Sequence, residues 1–228
     1  MRITRTNLLS LGLVIGSFVI TAALYNRLPE SVPTHWNARG EANGFTAKPW
    51  GPFILPLTMV GLYLLLMIIP RISPRGYRVE RFQNVFEILQ ATLLAFLFMV
   101  TMLALLAGIG APVPINRAIQ AGTGLLFIVV ANFMGKFTKN FFVGIRTPWT
   151  LASDEVWLRT HRLGGKLFVL AGLGLLVSGL LGGGGAMPLL GAVAVAGGIP
   201  AIYSYVLYRR LEGFKNGPPG DDTSHSST

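Results

Sequence analysis

The sequence predicts an all-α, polytopic membrane protein with six transmembrane helices. Hydrophobic residues make up 52% of the chain and charged residues only 12%, with a mean hydropathy of +0.58. An average soluble domain is about one quarter charged. Long stretches of the chain also carry no charge, and about 20 apolar residues are enough to cross the ~30 Å hydrocarbon layer. These two observations exclude a disordered chain and argue against a soluble domain.

Six segments are long and apolar enough to span the bilayer. The first four cover residues 7–25, 52–69, 85–108 and 115–134. The uncharged stretch 167–208 is too long for one helix, and the glycine run 182–185 with Pro188 divides it into a fifth and a sixth span, because both residue types disfavour helix. Small residues at helical spacing, Gly174, Ser178 and Gly182, predict that these two spans pack as a tight hairpin.

The distribution of the 19 Lys and Arg residues predicts the orientation. Basic residues are enriched in cytoplasmic connections. One set of alternate connections holds only four of them, Arg27, Arg39, Lys48 and Arg117, and the other set holds the remaining 15. We therefore expect a cytoplasmic N-terminus, a cytoplasmic C-terminus, and a small extracytoplasmic cap between helices 1 and 2.

Several kinds of chemistry find little support in the sequence. The chain has no Cys, which excludes disulfides, thiol catalysis and Cys-ligated metals. Transporters usually carry ionisable groups at mid-membrane, and none is expected there. An enzyme needs clustered acids, bases and nucleophiles, whereas Asp154, Glu155 and His161 are scattered. We predict no catalytic residue, no metal site, no cofactor and no direct nucleic-acid binding.

The outer loop, residues 26–50, holds the first group of candidate binding residues. Pro29 and Pro33 favour extended backbone, and Arg39-Gly40 and Asn43-Gly44 are turn signals. The pattern predicts a small cap with extended pieces on either side of these turns. Its candidate binding residues are His35, Trp36 and Asn37.

The inner loop, residues 136–166, holds the second group. Thr150 or Ser153 can cap a helix, and Glu155 and Arg159 have the spacing of a helical ion pair, which predicts a short interfacial helix leading into the fifth span. Arg146 lies beside Thr147-Pro148 and could hold a phosphate or carboxylate; alternatively, it only marks the headgroup level. The candidate binding residues of this loop are Asn140, Arg146, Thr147, Trp157, His161 and Arg162.

Two stretches resemble known membrane-protein sequences. The outer-loop pattern is similar to an uncharacterised domain often found at the N-terminus of SdpI-family proteins; its residues are Leu28, Pro29, Pro33, His35, Trp36, Asn37, Gly40, Gly44 and Lys48. The inner loop resembles the SdpI/YfhL family signature. That match runs from Asn140 to Leu151 and continues through Glu155, Trp157, Thr160, His161, Arg162, Gly164 and Gly165.

The resemblance implies a function by binding. The family consists of bacterial membrane proteins, and it includes immunity proteins against a secreted peptide toxin. It implies a multi-pass protein of the bacterial plasma membrane, an outer loop that faces a toxin peptide, and an inner loop that docks a transcriptional repressor. The alternative is a membrane enzyme or transporter acting on a lipid or small molecule.

The same reasoning divides the chain into four parts. Residues 1–70 form a two-helix unit with the outer loop, and residues 71–84 a cytoplasmic basic loop. Residues 85–211 form an SdpI-like four-helix unit with the inner loop, and residues 212–228 a disordered cytoplasmic tail. The basic loop contains Arg71, Arg75, Arg78 and Arg81, which we expect to anchor the chain to anionic lipid.

Overall fold

A computed structural model describes residues 4–37, 39–75, 77 and 79–213; Arg78 of the basic loop and residues 214–228 of the predicted tail lie outside the described residues. Within these described residues, six helical spans are long and apolar enough to cross a membrane, which confirms the predicted fold class. Five of them are α1 (Arg5–Leu24), α2 (Ile54–Ile72), α3 (Gln83–Gly108), α4 (Ile115–Met134) and α6 (Asp154–Leu180); a short α5 (Pro148–Ala152) precedes α6.

The sixth span is built from two helices. α7 (Ala186–Val193) and α8 (Ile199–Leu211) are joined by a π-helical turn, Ala194–Gly198, into one span. Pro200 lies two residues after the end of this turn. Because proline lacks an amide donor and its ring clashes with the carbonyl four residues back, a widened turn at this point is expected.

The connections between the spans alternate between two ends of the molecule. At the first end, the Thr4 hydroxyl donates to Glu87 Oε2 (2.7 Å) and the Ser153 hydroxyl to Glu212 Oε1 (2.8 Å). At the other end, Gly40 and Gly184 both approach Asn116. We call the first the motif end, because it contains residues 136–153, and the second the hairpin end.

The cap at the hairpin end is an antiparallel β-hairpin. Strands β1 (Ser31–Trp36) and β2 (Ala42–Ala47) flank a turn in which Gly40 has φ +81°. The predicted turn at Asn43-Gly44 is wrong, because both residues lie within β2. Gly44 pairs with His35, and a Cβ at Gly44 would lie 2.7 Å from the His35 Cβ. Glycine is used there for close approach, not for a turn.

The closest helix crossing is between α4 and α6. A Cβ on Gly172 would lie 2.7 Å from the Gly124 carbonyl oxygen, and one on Gly179 would lie 2.8 Å from the Arg117 carbonyl oxygen. Small residues let two backbones approach in this way inside a membrane. The fifth and sixth spans do contact each other, as predicted, but α6 approaches α4 more closely, through Gly172 and Gly179. A Cβ on Gly174 would meet nothing within 4 Å, and this residue lines a cleft of about 360 Å³ towards α7.

The face that α1 turns inwards is unusually polar. Its buried residues are Asn7, Ser10, Val14, Ser17 and Thr21, and α3 contributes buried Glu87, Gln90 and Thr101. Glu87, at the motif end of α3, accepts from Thr4 and from Gln83 Nε2 (2.9 Å). Sequence reasoning looked for ionisable side chains in the spans and missed this face, because Ser and Thr hardly interrupt an apolar run.

Candidate functional site

The loop after α4 is organised around the side chain of Asn140, which is fully buried. Its amide nitrogen donates to the carbonyl oxygens of Thr138 (2.8 Å) and Val143 (3.1 Å). Its amide oxygen accepts from the backbone N–H groups of Phe142 (2.8 Å) and Val143 (2.7 Å). All of these bonds are local, so Asn140 holds the loop in one conformation and has no capacity left for a ligand.

His161 ties the same loop to α6. Its Nδ1 lies 2.8 Å from the Trp157 carbonyl oxygen, and its Nε2 accepts from the Ile145 backbone N–H at 3.0 Å. Since a carbonyl can only accept and an N–H can only donate, the ring is a neutral imidazole with its proton on Nδ1. The side chain is 1% exposed and stacks on the Trp157 ring at 4.1 Å. Both nitrogens are engaged, so His161 acts as a buried structural link.

Trp157 and Gly144 complete this link. The Trp157 indole N–H donates to the Phe137 carbonyl oxygen at 2.7 Å. Gly144 has φ +107°, and a Cβ at this position would overlap the His161 ring nitrogen Nε2. The loop therefore needs glycine at residue 144 for two separate reasons, its backbone conformation and the space taken by the ring. Gly144 stands in the family-like motif but was not among the predicted site residues.

Thr147 begins a helix. It caps α5, where its hydroxyl accepts from the Thr150 N–H (3.2 Å) and the Thr150 hydroxyl accepts from the Thr147 N–H (2.9 Å). The Thr147 hydroxyl also lies 2.9 Å from the Ser204 hydroxyl, which fastens α5 to α8. Sequence reasoning missed Thr147 as a cap and Ser204 as its partner, although Pro148 at the first helical position is a recognisable start signal.

Ser153 is the N-cap of α6. It is one of the two residues, Thr150 and Ser153, that were predicted to cap a helix here. The predicted short interfacial helix is wrong, because α6 runs without a break from Asp154 to Leu180. Gly164 and Gly165 approach Met134, the last residue of α4, so residues 154–163 project beyond the end of α4. The predicted Glu155–Arg159 ion pair forms within this projecting part.

Replacing Thr147 by valine is expected to lower the free energy of unfolding by about 1–2 kcal/mol, because the side-chain cap of α5 is lost and the Ser204 hydroxyl loses a partner. A thermal melt of the purified protein, followed by tryptophan fluorescence, measures the change. Thr147→Ser keeps the hydroxyl and is the matched control. Equal melting temperatures for the valine variant and the native chain would contradict the capping role.

The two arginines predicted as binding residues lie on the outside. Arg146 is exposed, and its guanidinium donates to the Phe141 carbonyl oxygen. Arg162 is also exposed, on the projecting part of α6. Neither is drawn into the buried network around Asn140 and His161. Both are therefore available to a partner that approaches this end from solvent.

The candidate acids and base do not form a reactive cluster. Asp154 pairs with Lys139 at 2.7 Å, Glu155 pairs with Arg159, and His161 is buried under the loop with both nitrogens engaged. General acid–base catalysis requires these groups to reach one reacting atom. The arrangement of these three residues serves loop architecture.

The remaining predicted site residues lie at the opposite, hairpin end. His35 Nδ1 lies 2.6 Å from Asn43 Oδ1, and the Asn37 side chain accepts from the backbone N–H groups of Arg39 and Glu41, which shapes the turn. Trp36 lines an apolar cavity of about 70 Å³ beneath the hairpin. The cavity is also lined by Leu28, Val32, Pro52, Leu55 and Leu105.

Two ranges of the chain match known sequence families, one at the motif end and one that includes the hairpin end. Residues 136–204 match the SdpI/YfhL protein family, and residues 12–60 match a domain of unknown function, DUF1648. The chain is also 29% identical over 210 residues to the protein named Immunity protein SdpI of Bacillus subtilis (strain 168), covering 92% of this chain and 99% of that protein. The chain is therefore similar to SdpI/YfhL family proteins. No solved structure gives a significant match.

The SdpI/YfhL match spans the elements that carry the buried network. It begins at the loop after α4 and ends at Ser204, the residue of α8 that contacts Thr147. The similarity to this membrane-protein family and the six apolar spans together make this a multi-pass protein of the bacterial plasma membrane. The second match covers most of α1, the hairpin and the start of α2.

Proposed function

We propose that this protein is an immunity protein that protects a bacterial cell against a membrane-active peptide toxin, and that it acts by binding. The observation that carries the proposal is the similarity to Immunity protein SdpI over nearly the whole length of both chains. The similarity extends over 92% of this chain, so it is not confined to one end of the molecule. Asp154 and Glu155 are each engaged in an ion pair and His161 in backbone hydrogen bonds, which supports binding over catalysis.

The orientation we propose places the motif end in the cytoplasm and the hairpin end outside. The charge distribution supports it, since the hairpin-end connections hold only Arg27, Arg39, Lys48 and Arg117 among 19 basic residues. Lys48 is partly neutralised there, because its ammonium donates to the Leu28 carbonyl oxygen (2.7 Å) and lies 3.8 Å from Glu30.

The toxin-facing surface in this proposal is the β-hairpin with the cavity beneath it. A secreted peptide meets this end first, and the cavity offers an apolar recess at the level where α2 and α3 reach the hairpin. An apolar side chain of the peptide would enter beside Trp36, whereas His35 and Asn37 lie on the same hairpin without lining the cavity. At the other end, exposed Arg146 and Arg162 would provide the surface for a cytoplasmic repressor.

Expression of the chain in a sensitive bacterium tests the proposal. We expect it to raise the concentration of membrane-active peptide required for killing, across at least one member of a panel of such peptides. Trp36→Ala should reduce that protection by about tenfold, the effect of losing one aromatic anchor at an interface. Protein level in the membrane is measured in parallel.

Trp50→Ala is the matched control. Trp50 also lies at the hairpin end but is 70% exposed and does not line the cavity. Unchanged killing by every peptide of the panel would contradict the immunity function. Equal losses in the two tryptophan variants would contradict the assignment of the cavity while leaving the function standing.

A further inference from the structure

We propose that the motif end contains a built binding site for an anionic phosphate group, located in the cleft between the α2–α3 connection, the loop after α4 and the projecting part of α6. The cleft has a volume of about 570 Å³. It is lined by Tyr77, Arg81, Gly135, Lys136, Phe137, Thr138, Lys139, Asp154, Trp157 and Leu158. The proposal is independent of the immunity function, because it concerns the opposite end of the molecule.

The charge balance of the cleft favours an anion. Three cations, Arg81, Lys136 and Lys139, face one carboxylate, Asp154. Lys136 Nζ lies 5.3 Å from the centre of the Phe133 ring, and it has no carboxylate within ion-pair distance among the described side chains. The same holds for Arg81. Among the described side chains, these two positive charges have no carboxylate counterion, and in a concave surface their fields add.

Lys139 strengthens the case because its environment is unusual for lysine. Its side chain is only 22% exposed, whereas the Asp154 carboxylate that pairs with it at 2.7 Å is 85% exposed. The ammonium also lies 5.9 Å from the Tyr77 ring centroid. A largely buried cation whose counterion is mostly solvated retains much of its desolvation cost. A second anion inside the cleft would lower that cost.

The walls of the cleft are fixed before any ligand arrives. Trp157 and Phe137 are buried and joined by the bond from the indole N–H to the Phe137 carbonyl oxygen, and Tyr77 packs against Phe141 at 4.3 Å. The Thr138 hydroxyl oxygen is buried and has no hydrogen-bond partner among the described residues. A site of this kind offers a hydroxyl and cationic donors to phosphate oxygens with little reorganisation.

The depth of the cleft matches the headgroup layer. α4 ends at Met134, and its 20 residues are about 30 Å long, the thickness of the hydrocarbon core. Gly135 to Lys139 therefore lie just outside that core. A phosphate could reach this site from an anionic phospholipid headgroup or as a free ion, and the chemistry of recognition is the same.

Binding to the purified full-length chain tests the site. The probes are short-chain phosphatidylglycerol, short-chain phosphatidylcholine as the zwitterionic comparison, and inorganic phosphate, with adducts counted by native mass spectrometry. We expect phosphatidylglycerol to bind more tightly than phosphatidylcholine. The double variant Arg81→Gln/Lys136→Gln should weaken it about tenfold, as expected for lost charge-assisted hydrogen bonds. Both residues are exposed, so the variant is expected to fold.

Lys166→Gln is the matched control, since Lys166 is exposed near the same end but does not line the cleft. Tight binding of phosphatidylglycerol alone would identify the lipid headgroup as the source, and binding of inorganic phosphate as well would identify a general phosphate site. Equal weakening by Lys166→Gln would mean diffuse attraction and would overturn the proposal. So would equal affinity for the two lipids. Lys139→Gln is the second variant, and an unchanged affinity for it would also count against the site.

Discussion

Replacing Gly144 by alanine should destabilise the motif end more than any other single methyl group added to that loop. At φ +107° an L-residue is strained by about 1–3 kcal/mol. The new Cβ would also overlap His161 Nε2, so the ring must leave the Ile145 N–H. An unsatisfied buried N–H costs about 1–3 kcal/mol. We expect a total loss of about 2–6 kcal/mol in the free energy of unfolding, because the two costs arise from different groups.

Thermal melts and amide hydrogen exchange of the loop measure this effect. Gly135→Ala is the control, because Gly135 lies in the same loop with φ −69° and a Cβ there would meet nothing within 4 Å. The control should melt like the native chain. Exchange of the Ile145 amide should accelerate in Gly144→Ala alone. A native melting temperature for Gly144→Ala would show that the loop can relax around the ring, and the buried link described for His161 would then be wrong.

The elements that sequence reasoning predicted well are those fixed by local composition. Six apolar runs gave six spans, and the Glu155–Arg159 spacing gave an ion pair on one helix. Each depends only on residues close together in the chain. The division of the chain at residues 71–84 stays a prediction. The binding roles of the nine candidate residues stay predictions as well.

The helix that packs most closely against α6 could not be predicted from local composition. α6 carries small residues on two faces, one with Gly174 and Ser178 and the other with Gly172 and Gly179, and both are compatible with close packing. The choice between them depends on where α4 lies, which is a property of the whole fold. The face with Gly172 packs closely against α4, and the face with Gly174 lies towards the sixth span.

The cleft beside Lys139 was not predicted from the sequence, for a related reason. Asn140, Thr147 and His161 were predicted as binding residues because they lie in a motif. In the structure their side chains form hydrogen bonds with backbone groups or with Ser204. Lys139 received no attention as a single lysine in a basic loop. Its significance arises only when Tyr77, 62 positions earlier, covers its side chain.

The α4–α6 crossing provides the second large effect. Gly172→Ala would place a Cβ 2.7 Å from the Gly124 carbonyl oxygen and 3.1 Å from the Ile128 backbone nitrogen. Both obstacles are backbone atoms on the facing helix, so no side-chain rotation relieves the overlap and the helices must separate. Overpacking of this kind costs about 1–3 kcal/mol. Separation also weakens the contacts of Gly124 and Gly179 along the same seam.

Gly174→Ala is a closely matched control, two residues along the same helix and with nothing within 4 Å of its Cβ position. The two variants have the same composition and nearly the same intrinsic helix propensity gain. If the seam with α4 holds α6 in place, Gly172→Ala melts several degrees lower and Gly174→Ala does not. If only Gly174→Ala lowered the melting temperature, the face towards the sixth span would be the one sensitive to an added methyl group. The closest contact of α6 would then be with the sixth span, as the spacing of small residues predicts, and not with α4.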